Sequence, residues 1–219
     1  MNFKKETLDQ IILELAYSSC SMENNTFTYD EVRDLFASNK PPTGQKNNQE
    51  FYELVNFKMG IEYIVKFYDQ LDINIDTILK LHSIIMRFIL DDNGAFRKHN
   101  LKIKSAKHIG SEHSKIVSKL EQLNSNFKNE IVEVLSEKDR TELILKYHCI
   151  FHKIHPFSDG NGRVARAIMF LMQLKYKTKL YSVNPDIKND YFNGINKYLL
   201  TGNIDDLYNL IKDNLINID

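Results

Sequence analysis

The chain has 219 residues, enough for one domain, or one domain with an extension, whose core needs no staples. Its 29 basic residues balance its 29 acidic ones, which removes any electrostatic reason to expect a nucleic-acid or membrane-surface partner. Two cysteines, Cys20 and Cys149, suit reduced structural thiols. With no transmembrane-length run and no cleavage-site pattern behind the Glu14-broken N-terminal stretch, a cytoplasmic protein without signal peptide is expected.

Most of the chain reads as helix. Leu8, Ile11, Ile12, Leu15 and Ala16 recur at three- and four-residue spacing, which predicts a first helix over about 5–23. Thr28 to Glu31, "TYDE", is a capping box opening a short second helix. Residues 39–48, "NKPPTGQKNN", read as loop. Long amphipathic patterns follow over 47–70 and 76–90, the latter ended near "DDNGAFR". Leu101, Ile103 and Ser105 alternate with lysines, so a small β-hairpin is expected near 101–110. "SEKDRTELILKYHCIFHKIHPF" is a helix, and "RVARAIMFLMQLKYK" is a second one, apolar on nearly every side and therefore central. Two more helical patterns lie near 188–200 and 205–216. The expected fold class is all-α with a small β-hairpin.

Between the two central helices stands "HPFSDGNGRVAR", residues 155–166. Gly160-Asn161-Gly162 would form the turn, and its successive N–H groups at a helix N-terminus make an anion nest. Arg163 and Arg166 lie three apart on one helix face and can reach back over that nest with guanidinium forks suited to phosphate. Asp159 beside several phosphates would be repelled unless it holds Mg²⁺ between them. His155 is the residue of the stretch able to accept a proton near neutrality. Base, metal-binding acid, nest and two arginines describe a nucleotidyl- or phosphoryl-transfer site.

The twelve residues resemble the Fic family signature, His-x-Phe-x-(Asp/Glu)-Gly-Asn-Gly-Arg-x-x-Arg, at every defined position. His148, Phe151 and Ile154 match the family's approach to the motif, and Gly94 to Arg97, "GAFR", resembles its Gly-x-Tyr/Phe-Arg element before a hairpin called the flap. The resemblance spans roughly 76–211. It implies transfer of AMP from ATP to a Ser, Thr or Tyr hydroxyl of a target protein, with release of pyrophosphate. His155 would be the base, Asp159 the Mg²⁺ ligand, and Asn161 with the N–H groups around Gly160 and Gly162 would stabilise the α-phosphate. Arg163 and Arg166 would hold the β- and γ-phosphates. The family branch that phosphorylates with an inverted nucleotide usually departs from Gly-Asn-Gly-Arg, which residues 160–163 keep.

Ser19 and Glu23 share a helix face, and Asn24 and Asn25 follow, a residue type that tolerates the left-handed helix end. Alone this is a surface glutamate near a frayed cap. Beside the signature it resembles the family's inhibitory motif, (Ser/Thr)-x-x-x-Glu-(Gly/Asn), in the class whose inhibitory helix precedes the core. The resemblance implies that Glu23 pairs with Arg166, that Ser19 fixes the helix, and that 1–45 is an inhibitory segment before a catalytic core over 46–219.

The flap matches less well: "KHIGSEHSKIV" is polar and without proline, so target docking by strand pairing would rest on backbone alone. Tyr191 and Tyr198 are candidates to pack on the base. ATP and a target protein are the expected partners, and self-modification and a homo-oligomer stay open. Rival readings are a zinc hydrolase built on His148, His152 and His155, a nucleotide-binding regulatory or toxin–antitoxin module, and an enzyme that removes AMP.

Overall fold

The computed structural model describes residues 3–38, 47–102, 110–134 and 136–216. Its α-helices are α1 (Lys5–Ser21), α2 (Tyr29–Ser38), α3 (Asn48–Phe67), α4 (Ile75–Ile85), α5 (Ile116–Ile131), α6 (Glu137–Ile154), α7 (Asn161–Lys175), α8 (Lys188–Thr201) and α9 (Asp205–Lys212).

Local chemistry explains the helix starts. The Thr28–Glu31 capping box forms in both directions: Thr28 N–H donates to Glu31 Oε2 at 2.8 Å and Glu31 N–H to Thr28 Oγ1 at 3.3 Å. Asn47, Asn74 and Ser136 cap α3, α4 and α6 by accepting from Gln49, Thr77 and Asp139. Helix α1 stops after Ser21, and Asn24, at φ 70°, takes the left-handed turn that carries the chain away from it.

Helix α7 is the centre. Thirteen of its fifteen residues are buried, and α1, α3, α4 and α6 all pack against it. The all-round apolar sequence is the cause: no face of this helix can be left to water without exposing Val164, Ile168, Phe170 or Leu171. Both cysteines are free and buried.

Helix α5 answers to no expected element. Its buried residues Ile116, Leu120, Leu123, Phe127 and Ile131 nonetheless keep a regular helical spacing, and they pack it on α6.

The expected hairpin is corrected. Among the described residues there is no β-strand, only isolated bridge positions such as the antiparallel pair Tyr181 and Leu215. Leu101 and Gly110, the ends of the expected hairpin, lack strand structure, and residues 103–109 lie outside the described residues. The flanks are held in another way. Arg97 N–H donates to Pro156 O at 3.0 Å and Ser111 N–H to Ile154 O at 3.3 Å, so both flanks are fastened at the C-terminal end of α6. Alternation of Leu101, Ile103 and Ser105 describes one face of a strand, but a lone two-stranded ribbon is marginal in water.

Candidate active site

The motif runs from the end of α6 to the start of α7. His155 ends α6 in the left-handed conformation, at φ 51° and ψ 64°. Its Nδ1 lies 3.3 Å from the His152 carbonyl, the tautomer with Nε2 unprotonated and able to accept a proton. Arg97, 2% exposed, supports this turn from behind. Its Nε donates to His155 O at 2.8 Å, and its Nη2 donates to Ser111 O and, at 3.4 Å, to Ile154 O. A cation at a helix C-terminus is favoured by the helix dipole as well as by these carbonyls.

The turn itself is stapled shut. Asn161 accepts from Phe157 N–H and donates to Phe157 O, both at 2.9 Å. Its side chain therefore shapes the loop in this state. Phe157 stacks on His82 of α4, ring centroids 3.7 Å apart and planes 2° from parallel. His82 Nε2 meets the Asp159 carbonyl at 3.1 Å while Nδ1 accepts from Gly94 N–H at 2.8 Å, so the ring is neutral with its proton on Nε2. Burial pushes its pKa down to about 4, consistent with that assignment.

Gly160, the N-cap of α7, has φ 77°, and an added Cβ would come within 2.5 Å of Met86 Sδ. Only glycine fits this crossing of turn and α4 without strain. The Gly160 N–H is 2.6 Å from Asp159 Oδ1, so the acid occupies the mouth of the nest. The Asp159 side chain is 57% exposed.

The arginines are buried and each meets a carboxylate. Arg166 Nη2 lies 2.7 Å from Glu23 Oε1, and Arg166 also donates through Nε to Ser19 Oγ and through Nη2 to Ser19 O, each at 2.9 Å. Burial by itself would push the Glu23 carboxyl up, but the Arg166 charge and hydrogen bond, with Arg163 and Lys188, hold it below its ordinary value. Arg166 is likewise opposed by burial and raised by Glu23 and Tyr191. Gly162 makes this pairing possible: an added Cβ would sit 2.3 Å from Glu23 Oε1. Asn24 Oδ1 accepts from Lys188 Nζ at 2.8 Å, tying the helix end to α8. Arg163 pairs through Nη1 with Glu53 of α3 at 3.2 Å and through Nη2 with Asp159 at 3.5 Å.

Of the sequence-predicted residues, His155, Asp159, Gly160, Asn161, Gly162, Arg163 and Arg166 thus meet Ser19 and Glu23 in one place, with Asn24 beside them. Tyr191 sits differently. It is fully buried, its hydroxyl hydrogen-bonded to His148 Nε2, and has no open ring face in this state. Tyr198 is partly buried farther along α8. Phe192, in ring contact with both Tyr191 and His152, is partly exposed. His148 also faces the Ala165 carbonyl at 3.3 Å, and no group of three or more metal-ligating side chains occurs among the described residues. Glu53 and His82 were not anticipated. Their signal was a polar residue set in a buried stripe: Glu53 beside Leu54 and Phe57, His82 beside Ile78, Leu81 and Ile85.

Residues 72–173 match the family model described as the Fic/DOC family. The chain is 27% identical over 177 residues to a curated protein adenylyltransferase Fic of Drosophila erecta, covering 79% of this chain and 34% of that protein. The chain therefore spans about a third of the length of the curated relatives it matches. A Fic domain containing signaling protein from Bacteroides thetaiotaomicron superposes with a TM-score of 0.80 at 20% identity, covering 97% of this chain and 84% of that one. The N-terminal Fic domain of a VirB-translocated Bep effector protein from Bartonella quintana, solved with bound ADP, superposes with a TM-score of 0.63 at 16% identity over 79% of this chain and 88% of that one. Signature, fold and relatives agree on the matched part: residues 72–173 form a Fic/DOC family domain.

Proposed function

We propose that the chain is a protein adenylyltransferase, autoinhibited in the state seen here. The observation that carries the reading is the Arg166 guanidinium, a buried phosphate-binding fork filled by Ser19 and Glu23. A carboxylate on that fork excludes a phosphate oxygen from the same nitrogens. The curated relatives' name supports transfer of AMP, and the ADP in the Bartonella domain supports a nucleotide in the cleft.

The residues act as follows. His155 takes the proton of a target Ser, Thr or Tyr hydroxyl. That oxygen attacks the α-phosphorus of ATP, the bond to the bridging oxygen breaks, and pyrophosphate leaves. The N–H groups of the nest and the N-terminus of α7 receive the negative charge of the α-phosphate. Arg166, once released by Glu23, binds the terminal phosphates together with Arg163.

A divalent cation fits the donor set. One exposed carboxylate beside the nest suffices for Mg²⁺, which keeps several waters and takes its other ligands from the phosphates. When bound it would neutralise charge on the leaving pyrophosphate. Phe192, partly exposed where Tyr191 is enclosed, is in this reading the aromatic residue of α8 that packs on the base.

Incubation with Mg²⁺ and ATP labelled at the α- or the γ-phosphate tests the reading. Label from the α-phosphate on a protein product is expected. Label from the γ-phosphate, or bound ATP with no transfer from a Glu23→Gly variant to itself or to a lysate, would overturn it.

A further inference from the structure

Glu53 stands beneath Arg163 much as Glu23 stands beside Arg166. The Glu53 side chain is 9% exposed and that of Arg163 3%. Glu53 Oε1 faces Arg163 Nη1, and Oε2 accepts from Asn25 Nδ2 at 2.9 Å. The same Asn25 amide donates to Glu50 O at 3.0 Å, and Thr26 N–H donates to Glu50 Oε1 at 2.6 Å. The first turns of α3 thus grip the segment that follows Glu23. Arg163 Nε and Nη1 make no hydrogen bond among the described residues, so charge alone anchors the inner side of the guanidinium. Its Nη2 points the other way, to Asp159 at the cleft.

A buried ion pair is a weak device for stability, because desolvation offsets most of its attraction. It is a strong device for placing a charge. An arginine with one side fixed inward and one nitrogen turned to the cleft loses little rotational freedom when a phosphate arrives.

We propose that Glu53 is a positioning residue: it fixes Arg163 so that Nη2 faces the terminal phosphates of bound ATP, and through Asn25 it ties that placement to the turn carrying Glu23. The proposal rests on the nucleotide-transfer reading above. Removing the Glu53 charge frees the guanidinium to swing, so affinity for ligands with β- and γ-phosphates falls. AMP, which has neither, is spared.

Calorimetry on the full chain in a Glu23→Gly background tests this, with Mg²⁺ present and ATP, ADP and AMP as titrants. Glu53→Gln keeps the shape and removes the charge. It should weaken ATP and ADP binding at least about fivefold and leave AMP binding within about twofold, the signature of a misplaced charge-assisted contact. Unchanged or tighter ATP binding, or an equal loss for AMP, would overturn the proposal. Should Glu53→Gln lose its cooperative melt, Asn25→Ala decides, since it removes the amide that holds Glu53 and leaves the Glu53 carboxylate itself in place. ATP binding weakened with AMP spared supports the role, and unchanged ATP binding sinks it. A Glu23→Gly parent that binds no ATP would bring down the transfer reading and this role together, whereas a parent that binds ATP beside an unaltered Glu53→Gln variant overturns the role alone.

Discussion

Glu23 and Arg166, 143 residues apart in the chain, meet at 2.7 Å, and Ser19 one turn before the glutamate accepts from the same guanidinium. Helix α1 carries Ser19, and Glu23 follows in the turn that closes the helix, its N–H donating to Cys20 O at 2.9 Å, so both reach the same guanidinium. The contact joins the end of α1 to the first turns of α7, so a change in one helix end is felt at the other.

Ser19→Ala removes the acceptor for Arg166 Nε but leaves Glu23 in place. Loss of one hydrogen bond to a buried guanidinium should raise AMP transfer about two- to fivefold, short of the effect of removing Glu23. Initial rates of α-label incorporation check this. A rate equal to wild type would show that Ser19 does not hold the inhibited state.

Gly160→Ala is expected to destabilise the fold by about 2–4 kcal/mol, from left-handed strain plus overpacking against Met86. Placed in a Met86→Ala background, the same change should cost only the strain, about 1 kcal/mol. Urea unfolding of the four proteins in the cycle separates the two contributions. Equal costs in both backgrounds would remove Met86 from the explanation.

His82→Ala deletes the stack on Phe157 and strands the Gly94 N–H and the Asp159 carbonyl. A loss of about 2–4 kcal/mol is expected in urea unfolding. A loss below 1 kcal/mol would mean that water or neighbouring groups replace both hydrogen bonds.

His148 is 2% exposed, and burial holds its pKa down at about 3 against 6.5 for a free imidazole. The folded state keeps it neutral, while the unfolded chain binds a proton below pH 6.5. Stability from this group is therefore complete above pH 6.5 and drains away as pH falls toward 3, by at most about 1.4 kcal/mol per pH unit. Glu23 acts in the same direction but lower: its depressed pKa contributes stability above the ordinary carboxyl value, lost as pH falls through the folded one. Unfolding free energies at pH 7 and pH 5 should show the decline, which His82, pushed down to about 4, shares, so His148→Gln should remove about half of it. An unchanged slope in that variant would place the proton uptake elsewhere.

The helices and the motif were legible because their signals are local. The 3.6-residue period marks α1, α3, α4 and α6, and the Thr28–Glu31 box and Gly160 mark boundaries. Helix α5 was hidden because "KHIGSEHSKIV" reads as the continuation of a hairpin, which masks Ile116 as the first residue of a helical stripe. Partners across the fold were harder to read. Glu53 looks like a solvated charge until α3 is laid against α7, and Tyr191 reads either as a base contact or as a structural tyrosine until α8 closes over His148. The pairing of Glu23 with Arg166 was readable only through the family resemblance, since nothing local links residues so far apart.

The most direct test follows α-label from ATP onto protein in wild type, Glu23→Gly and Glu23→Gly/His155→Ala, with Mg²⁺ and a cell lysate as the source of targets. Transfer should rise at least about tenfold in Glu23→Gly, the equivalent of roughly 1.4 kcal/mol of released coupling, and vanish in the double variant. Equal transfer by wild type and Glu23→Gly, or transfer that survives without His155, would contradict the account.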